Sequence, residues 1–521
     1  MDSGIIQIIR EKGLLLEKDV YDLIDGLDVG NVSTLLDNLE KVSGQKMITK
    51  SVLNKNFEVV KNFIANLSGE NKQKVEAVFI KLGLSLDIKK ESSNAQKDVS
   101  IKTQDYQVFY STIKNDKKLK VDDFVGHFRS RYQQIQRILM QRSELQNLVA
   151  INKIGDERKN YSIIGILSEK RLTKNKNLIL KFEDLTGTIS CLVKADKELF
   201  TKADELLLDD IVGIRASGDR EMLFVQDIVF PDAMISEKVR FTGDVSIAFL
   251  SDIHVGNMKH LEKSFENFLN WINSDDENAK KIKYIFIVGD NVDGVGIFPS
   301  QEFVLDLKSM REQYNKLADY LKRVPKNIIM FMCPGQHDAV RVAEPQPIIG
   351  RKYAEALYQI DNLVLVSNPS TIKLMEGNRE FKVLMYHGDS LPSIIKEIKE
   401  LRDIKAQNTP AKAVRHLLKR RHLFPFHGEA IYIPNAERDN LVISEVPDLV
   451  CNGEMHHVDI ENYNNILIVS GSCWQGQTPF EEKIGAVPDP CKVPVFNLKT
   501  RELKILDFGD EEELRRLHVK L

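Results

Sequence analysis

The chain has 521 residues, 42% hydrophobic and 29% charged, with a formal net charge of −3. That length suggests about three domains, the composition is that of a globular protein, and the small negative charge excludes a global basic field, so any nucleic-acid surface must be local. None of the five cysteines forms a CxxC pair, which argues against a structural zinc site and for reduced, intracellular thiols.

The opening Met1-Asp2-Ser3-Gly4 carries no basic segment followed by an apolar run. No signal peptide is therefore expected. No stretch approaches the roughly 18 apolar residues of a membrane span, so the expected location is cytoplasmic, without membrane association. Residues 1–85 are predicted as a helical docking domain. Ile5, Ile6 and Ile9 share a face that Gly13 ends, and Val20, Leu23 and Ile24, then Val59, Val60, Phe63 and Leu67, repeat the spacing. Residues 86–104 are polar and aperiodic and are expected to be a linker. A helical connector is expected over 105–148, with Phe124, Phe128, Tyr132, Ile135 and Leu139 as its apolar stripe and Arg129, Arg131, Arg137 and Arg142 facing solvent.

From residue 149 to 237 the hydrophobic period changes to two. Leu178, Leu180 and Phe182 alternate with polar neighbours, Asp184-Leu185-Thr186-Gly187 forms a turn, and Ile189, Cys191 and Val193 alternate on the way out. Further short strands at 211–214 and 223–229 suggest a small barrel of the OB type. Its few aromatics, and the acidic Asp204, Glu205, Asp209 and Asp210, favour a packing module over a nucleic-acid reader.

In residues 238–521 a pattern recurs: a short apolar run ends and metal-capable side chains follow. Residues 245–250 lead to Asp252 and His254, and 284–288 lead to Gly289-Asp290-Asn291-Val292-Asp293. Residues 328–332 lead to Pro334-Gly335-Gln336-His337-Asp338, and 383–386 lead to His387-Gly388-Asp389. Residues 449–451 lead to Gly453-Glu454-Met455-His456-His457, and 466–469 lead to Gly471-Ser472-Cys473-Trp474. Helical patterns intervene, as in an α/β domain, whose sites form beyond the carboxyl ends of the strands. Imidazole and carboxylate ligands suit manganese, iron or zinc. Two such ions about 3.5–4 Å apart lower the pKa of a shared water and clamp a phosphoryl oxygen, and a nearby imidazole can protonate the leaving oxygen.

The joint order Asp-x-His, Gly-Asp-x-x-Asp, Gly-x-His-Asp, His-Gly, Gly-x-x-His resembles the calcineurin-like phosphoesterase superfamily. The layout is similar to the small-subunit family of archaeal family-D DNA polymerases. The stretches Phe249-Leu250-Ser251-Asp252-Ile253-His254-Val255-Gly256, Gly289-Asp290-Asn291-Val292-Asp293-Gly294-Val295-Gly296 and Leu417-Leu418-Lys419-Arg420-Arg421-His422-Leu423 support the narrower match. The resemblance implies a multidomain fold: an amino-terminal α-helical domain, an OB-type β-barrel and an α/β domain, the α+β sandwich of metallophosphoesterases. It implies a 3′-to-5′ exonuclease that proofreads on DNA for a separate large catalytic subunit, with a sliding clamp as a further candidate partner, although no clamp-binding peptide stands out. It implies two divalent metal ions, manganese first, with magnesium, iron or zinc as alternatives. Asp252 and His254 would bind one metal, Asp290 would bridge both, Gln336, His387 and Glu454 would serve the second, and His456 the first. His337 would act on the leaving group, oriented by Asp338.

Two positions depart from the superfamily pattern. Gln336 stands where Asn is usual, which keeps the carbonyl but adds a methylene, roughly 1.5 Å of reach. Glu454 stands where His is usual, and its charge favours a hard metal. Both changes bear on the second metal, and they give weight to an alternative in which the domain is a catalytically inactive scaffold of a replicative polymerase. Lys419, Arg420 and Arg421 close a helix and could track a DNA backbone or simply cap the helix end with cations. Trp474 could wall the pocket or pack in the core.

Overall fold

The computed structural model describes residues 3–17, 20–21, 29–43, 46–49, 99–110, 118–195, 197–429 and 431–516. Its contacts divide the chain into two units, Met1–Ala95 and Gln96–Leu521. Among the described residues no helix is long and apolar enough to cross a membrane.

In the first unit the helix Ser3–Glu11 is followed by Gly13 at φ +61°, a left-handed position that glycine adopts without strain. The helix Val29–Ser43 buries Val32, Leu36 and Leu39, a spacing that places the three on one face. A short parallel pair joins β1 (Leu15–Leu16) to β2 (Met47–Ile48). The expected apolar positions Leu23, Ile24, Val59, Val60, Phe63 and Leu67 lie outside the described residues.

The second unit opens with a difference from expectation. β3 (Val99–Lys102) and β4 (Tyr106–Tyr110) form a hairpin where the pattern predicts the end of a linker and the start of a helical connector. The physical reason is tertiary. Val108 is fully buried and pairs opposite Ile372, so a segment too short and polar to show its period is captured at a sheet edge. The helix Val121–Leu139 follows and buries Tyr132, Ile135 and Leu139 of the expected stripe. It also buries Arg131, expected in solvent. The Arg131 Nε donates to Asp439 Oδ2 at 2.6 Å and its Nη1 donates to the Pro425 carbonyl at 3.0 Å.

Five strands then close a barrel: β5 (Lys159–Leu172), β6 (Leu178–Glu183), β7 (Thr188–Val193), β8 (Ile211–Gly218) and β9 (Leu223–Val229), in the order β5-β6-β7-β9-β8. The β6–β7 turn is the expected one, with Asp184 Oδ1 accepting from the Thr186 and Gly187 amides. The alternating Leu178, Leu180, Phe182, Ile189, Cys191 and Val193 all point into the barrel core.

The remaining strands are β10 (Ser246–Leu250), β11 (Ile282–Val288), β12 (Ile329–Cys333), β13 (Leu363–Leu365), β14 (Ser370–Glu376), β15 (Arg379–Met385), β16 (Leu449–Asn452), β17 (Asp459–Tyr463), β18 (Ile466–Ser470), β19 (Lys492–Asn497) and β20 (Leu503–Asp507). They build one sheet in the order β13-β12-β11-β10-β19-β20 and a second in the order β17-β18-β16-β15-β14-β4-β3. Strand pleating explains the layers. Ile247, Phe249, Tyr284, Phe286, Val288, Phe331 and Cys333 face the second sheet's Ile372, Phe381 and Val383. Their neighbours Ala248, Leu250, Ile285, Ile287, Met330 and Met332 face outward onto the helices Glu262–Ile272 and Met310–Leu321. The helices Leu391–Glu397 and Ala411–Arg420 cover the far side of the second sheet. The result is a two-sheet sandwich between helical layers. The parallel strands β10, β11 and β12 of one sheet, and β15, β16 and β18 of the other, deliver their carboxyl ends to one edge.

Candidate metal centre

The side chains of the candidate site follow those strand ends by a few residues. Asp252, His254, Asp290, Glu454 and His456 all have left-handed φ values between +46° and +67°. Backbone in this region is costly for residues with a Cβ and clusters where function requires it. The close approach of the loops demands glycine at their bases. A Cβ on Gly335 would stand 2.2 Å from Asp290 Oδ1 and 2.7 Å from His387 Nε2.

Three overlapping groups can each hold a cation: Asp252, His254 and His456; Asp252, Asp290 and His387; and His254, Asp293 and His337. His254 Nε2 and His456 Nε2 face each other at 3.2 Å, and His456 Nε2 is 3.5 Å from Asp252 Oδ1. His387 Nε2 is 3.4 Å from Asp290 Oδ2 and 3.2 Å from Glu454 Oε2.

The four imidazoles share one organisation: Nδ1 faces an oxygen and Nε2 is turned to the centre. Nδ1 of His456 meets Glu481 Oε1 at 2.7 Å, that of His387 meets the Val288 carbonyl at 3.0 Å, and that of His337 meets the Asp293 carbonyl at 2.7 Å. Nδ1 of His254 lies 3.4 Å from Asp293 Oδ1. Such outer contacts set the tautomer and direct the lone pair of a ligating imidazole. Two buried atoms aimed into the centre, Asp252 Oδ2 and His387 Nε2, have no hydrogen-bond partner. Buried polar atoms left this way in a native fold call for a ligand, and the oxygen and imidazole donors fit divalent metals of intermediate hardness.

The electrostatics agree. Burial opposes the charge on Asp290, yet His387, His337 and His254 hold its carboxyl well below the usual range. Burial likewise opposes charge on His387, but Asp290, Glu454 and Asp252 raise it well above its ordinary value. Burial pushes Glu454 up. These opposed shifts mark a site where metal charge would take the place of protons.

The structure brings together Asp252, His254, Asp290, His337, His387, Glu454 and His456. Gln336 stands beside them with its amide donated to Asp389 Oδ1. Two expectations need correction. Asp338 does not orient His337. Its carboxylate accepts from the amides of Gly335 and Asn291, the Asn291 side chain and the Tyr314 hydroxyl, and so pins the loops together. Burial, then Asp290, pushes Asp338 up to about 6. The His337 ring is held by Asp293 instead. Asp293 sits in the Gly-Asp-x-x-Asp pattern, which assigns it no role, whereas Glu481, 25 residues beyond His456, has no spacing signal in the sequence.

The second correction concerns Lys419, Arg420 and Arg421, expected on DNA. Arg420 is 3% exposed and its Nε donates to Asp210 at 2.9 Å, while its Nη2 donates to the Glu205 carbonyl at 2.7 Å. Lys419 Nζ meets Glu205 Oε2 at 2.6 Å, and Arg421 donates to the carbonyls of Ile443, Ser444 and Asp232. The acidic residues just before β8 recruit these cations, so the cluster clamps the barrel to the sandwich. Trp474 is buried in the core against Phe265 and Phe268.

A family model for the B-type subunit of DNA polymerases alpha and epsilon matches residues 247–459. The DNA polymerase II small subunit of Pyrococcus furiosus is 36% identical over 401 residues, covering 75% of this chain and 64% of that protein. That of Methanothermobacter thermautotrophicus is 34% identical over 398 residues, covering 75% of this chain and 80% of that protein. The chain thus spans just under two thirds of the length of the Pyrococcus relatives it matches. A solved structure described as a novel archaeal phosphodiesterase aligns at 13% identity over 50% of this chain and 99% of that one, with a TM-score of 0.25, too distant a likeness to build on. With about a third of its residues identical over three quarters of its length, the chain belongs to the DNA polymerase II small subunit family.

Proposed function

We propose that the chain is a DNA polymerase small subunit whose sandwich region is a metal-dependent 3′-to-5′ DNA exonuclease, proofreading for a separate large catalytic subunit. The observation that carries this reading is the set of imidazoles with Nδ1 engaged and Nε2 turned onto a shared centre with Asp252 and Asp290. Asp252, His254 and His456 would hold one divalent ion, and Asp290, His387 and Glu454 a second, with manganese favoured by the mixed oxygen and nitrogen donors. Bound metal would supply an activated water and neutralise phosphoryl charge. His337 lies outside the Asp252 groups, with its Nε2 3.9 Å from Asp290 Oδ2. Burial works against its charge, but Asp290 and Asp293 raise its pKa above the ordinary value. It is therefore a proton donor near neutral pH, placed to protonate the departing 3′ oxygen as the P–O bond breaks and a 5′ mononucleotide leaves. The five-stranded barrel, of the OB type in this reading, packs through Asp210 and Arg420 and is assigned no nucleic-acid role. The helical segment before residue 86 is proposed as a docking module.

The second reading, an inactive scaffold, is favoured by one observation: the Gln336 amide is engaged by Asp389. One experiment separates the two. The purified chain is incubated with 5′-labelled single-stranded DNA across manganese, magnesium, iron and zinc, beside Asp290→Asn. Ladder shortening from the 3′ end that disappears in the variant supports the nuclease. Intact DNA at every metal, with the protein folded and metal-loaded, would leave the scaffold.

A further inference from the structure

Beside His337, residues 294–303 form an outward loop that carries apolar side chains into solvent. Val295, Ile297 and Phe298 are 44%, 40% and 43% exposed. The loop is anchored from beneath by two buried glutamines. Gln301 Nε2 donates to the Asp293 carbonyl at 2.8 Å and to its carboxylate at 2.9 Å, while Gln301 Oε1 accepts from the Ile297 amide at 3.0 Å. Gln313 accepts from the Gly294 amide at 2.9 Å and donates back to the Gly294 carbonyl at 3.1 Å. The loop turns away at Gly294, φ +79°, where a Cβ would stand 2.4 Å from the His337 carbonyl and 2.8 Å from Ile297 Cγ1. The Phe298 ring lies 6.4 Å from the His337 ring. The Asp293 carbonyl that orients His337 also accepts from Gln301, so loop and imidazole share one anchor.

We propose that Ile297 and Phe298 are a stacking platform for the terminal base of single-stranded DNA. This rests on the reading of the centre as a nuclease for such a strand. A phosphodiester placed at the metal centre carries a base on either side, and Phe298 is the exposed aromatic in ring contact with the candidate proton donor. Every base has a π-face, so stacking holds any terminal base without selecting its identity, which suits an enzyme that must remove whichever nucleotide is mispaired. A paired terminal base reaches the platform only by leaving its own stack, at a cost that is least for a mismatch. The buried glutamines keep the rings presented, so the apolar surface is spent on binding and not on the core.

The test uses the full chain with 5′-fluorescein-labelled oligothymidylate, calcium in place of manganese, and fluorescence anisotropy over a range of salt. Phe298→Ala is expected to raise Kd by about 5- to 100-fold, with the slope of log Kd against log salt unchanged because stacking releases no counterions. Phe298→Trp is expected to retain affinity, and thermal melting of both variants to match the parent. Affinity within about a factor of two of the parent for Phe298→Ala and for the Ile297→Ala/Phe298→Ala double variant would overturn the platform. So would retained DNA affinity with lost binding to the large polymerase subunit, since the loop would then be a protein-docking surface. Degradation of the same oligonucleotide by the parent chain in manganese is read separately. Its absence, beside a Phe298 effect on Kd, overturns the nuclease reading and leaves the platform standing.

Discussion

His254 Nε2 and His456 Nε2 face each other across 3.2 Å, although 202 residues separate them in the chain. Two protonated imidazoles could not stay so close, and a shared cation in the gap removes the conflict. Glu481 holds the other nitrogen of His456. Glu481→Gln is therefore expected to weaken metal binding about 10- to 100-fold without unfolding the protein. Equilibrium dialysis with elemental analysis measures this, and unchanged affinity would show that Glu481 serves only the Thr478 cap it also accepts from.

His337 separates catalysis from metal binding. Its Nδ1 is fixed by the Asp293 carbonyl, and among the described residues it is grouped only with His254 and Asp293 as a ligand set. His337→Ala is expected to lower turnover by roughly 10²- to 10⁴-fold while the metal content stays at the parental level. Loss of metal in that variant would make His337 a ligand instead.

The Arg420–Asp210 pair joins the barrel to the sandwich at 2.9 Å with both side chains buried. Arg420→Ala leaves Asp210 buried without its partner and is expected to cost about 3–5 kcal/mol of stability, read by denaturant unfolding. Its folded fraction is expected to bind DNA with the parental salt dependence, because no phosphate contact is lost. A shallower salt slope would restore the DNA-binding role that burial removes.

A pH dependence follows from His422, fully buried 2.9 Å from Asp439 Oδ2. Burial, reinforced by Arg131, lowers its pKa to about 4. The unfolded chain titrates near the ordinary value of about 6.5, so between those values the unfolded state binds more protons. Its stabilising contribution is complete above about pH 6.5 and is lost as pH falls toward about 4, at no more than about 1.4 kcal/mol per pH unit for one proton. Urea unfolding from pH 7 to 4 should show the decline, and His422→Gln should flatten it. An equal slope in the variant would place the proton uptake elsewhere.

The local sequence sufficed for the strand-then-ligand pattern. An apolar run of strand length ending in Asp, His or Gly-Asp identifies a buried parallel strand and its loop, so Asp252, His254, Asp290, His337, His387, Glu454 and His456 were legible as a set. The same holds for the β6–β7 hairpin, whose period and turn are local. Everything that depended on a distant partner was not. β4 became a strand because Val108 found Ile372, and Arg131, Arg420 and Arg421, solvent-seeking by type, were buried because Asp439, Asp210 and the Ile443 carbonyl met their charges and donors. Asp338 and Asp293 exchanged roles for the same reason. Which carboxylate faces an imidazole, and which ties loops together, is set by directions in space that spacing along the chain does not encode. Residue types and their order along the chain settle which atoms can form the centre. Folding settles which nitrogen of each histidine faces inward, because only folding brings Val288, Asp293 and Glu481 against the other.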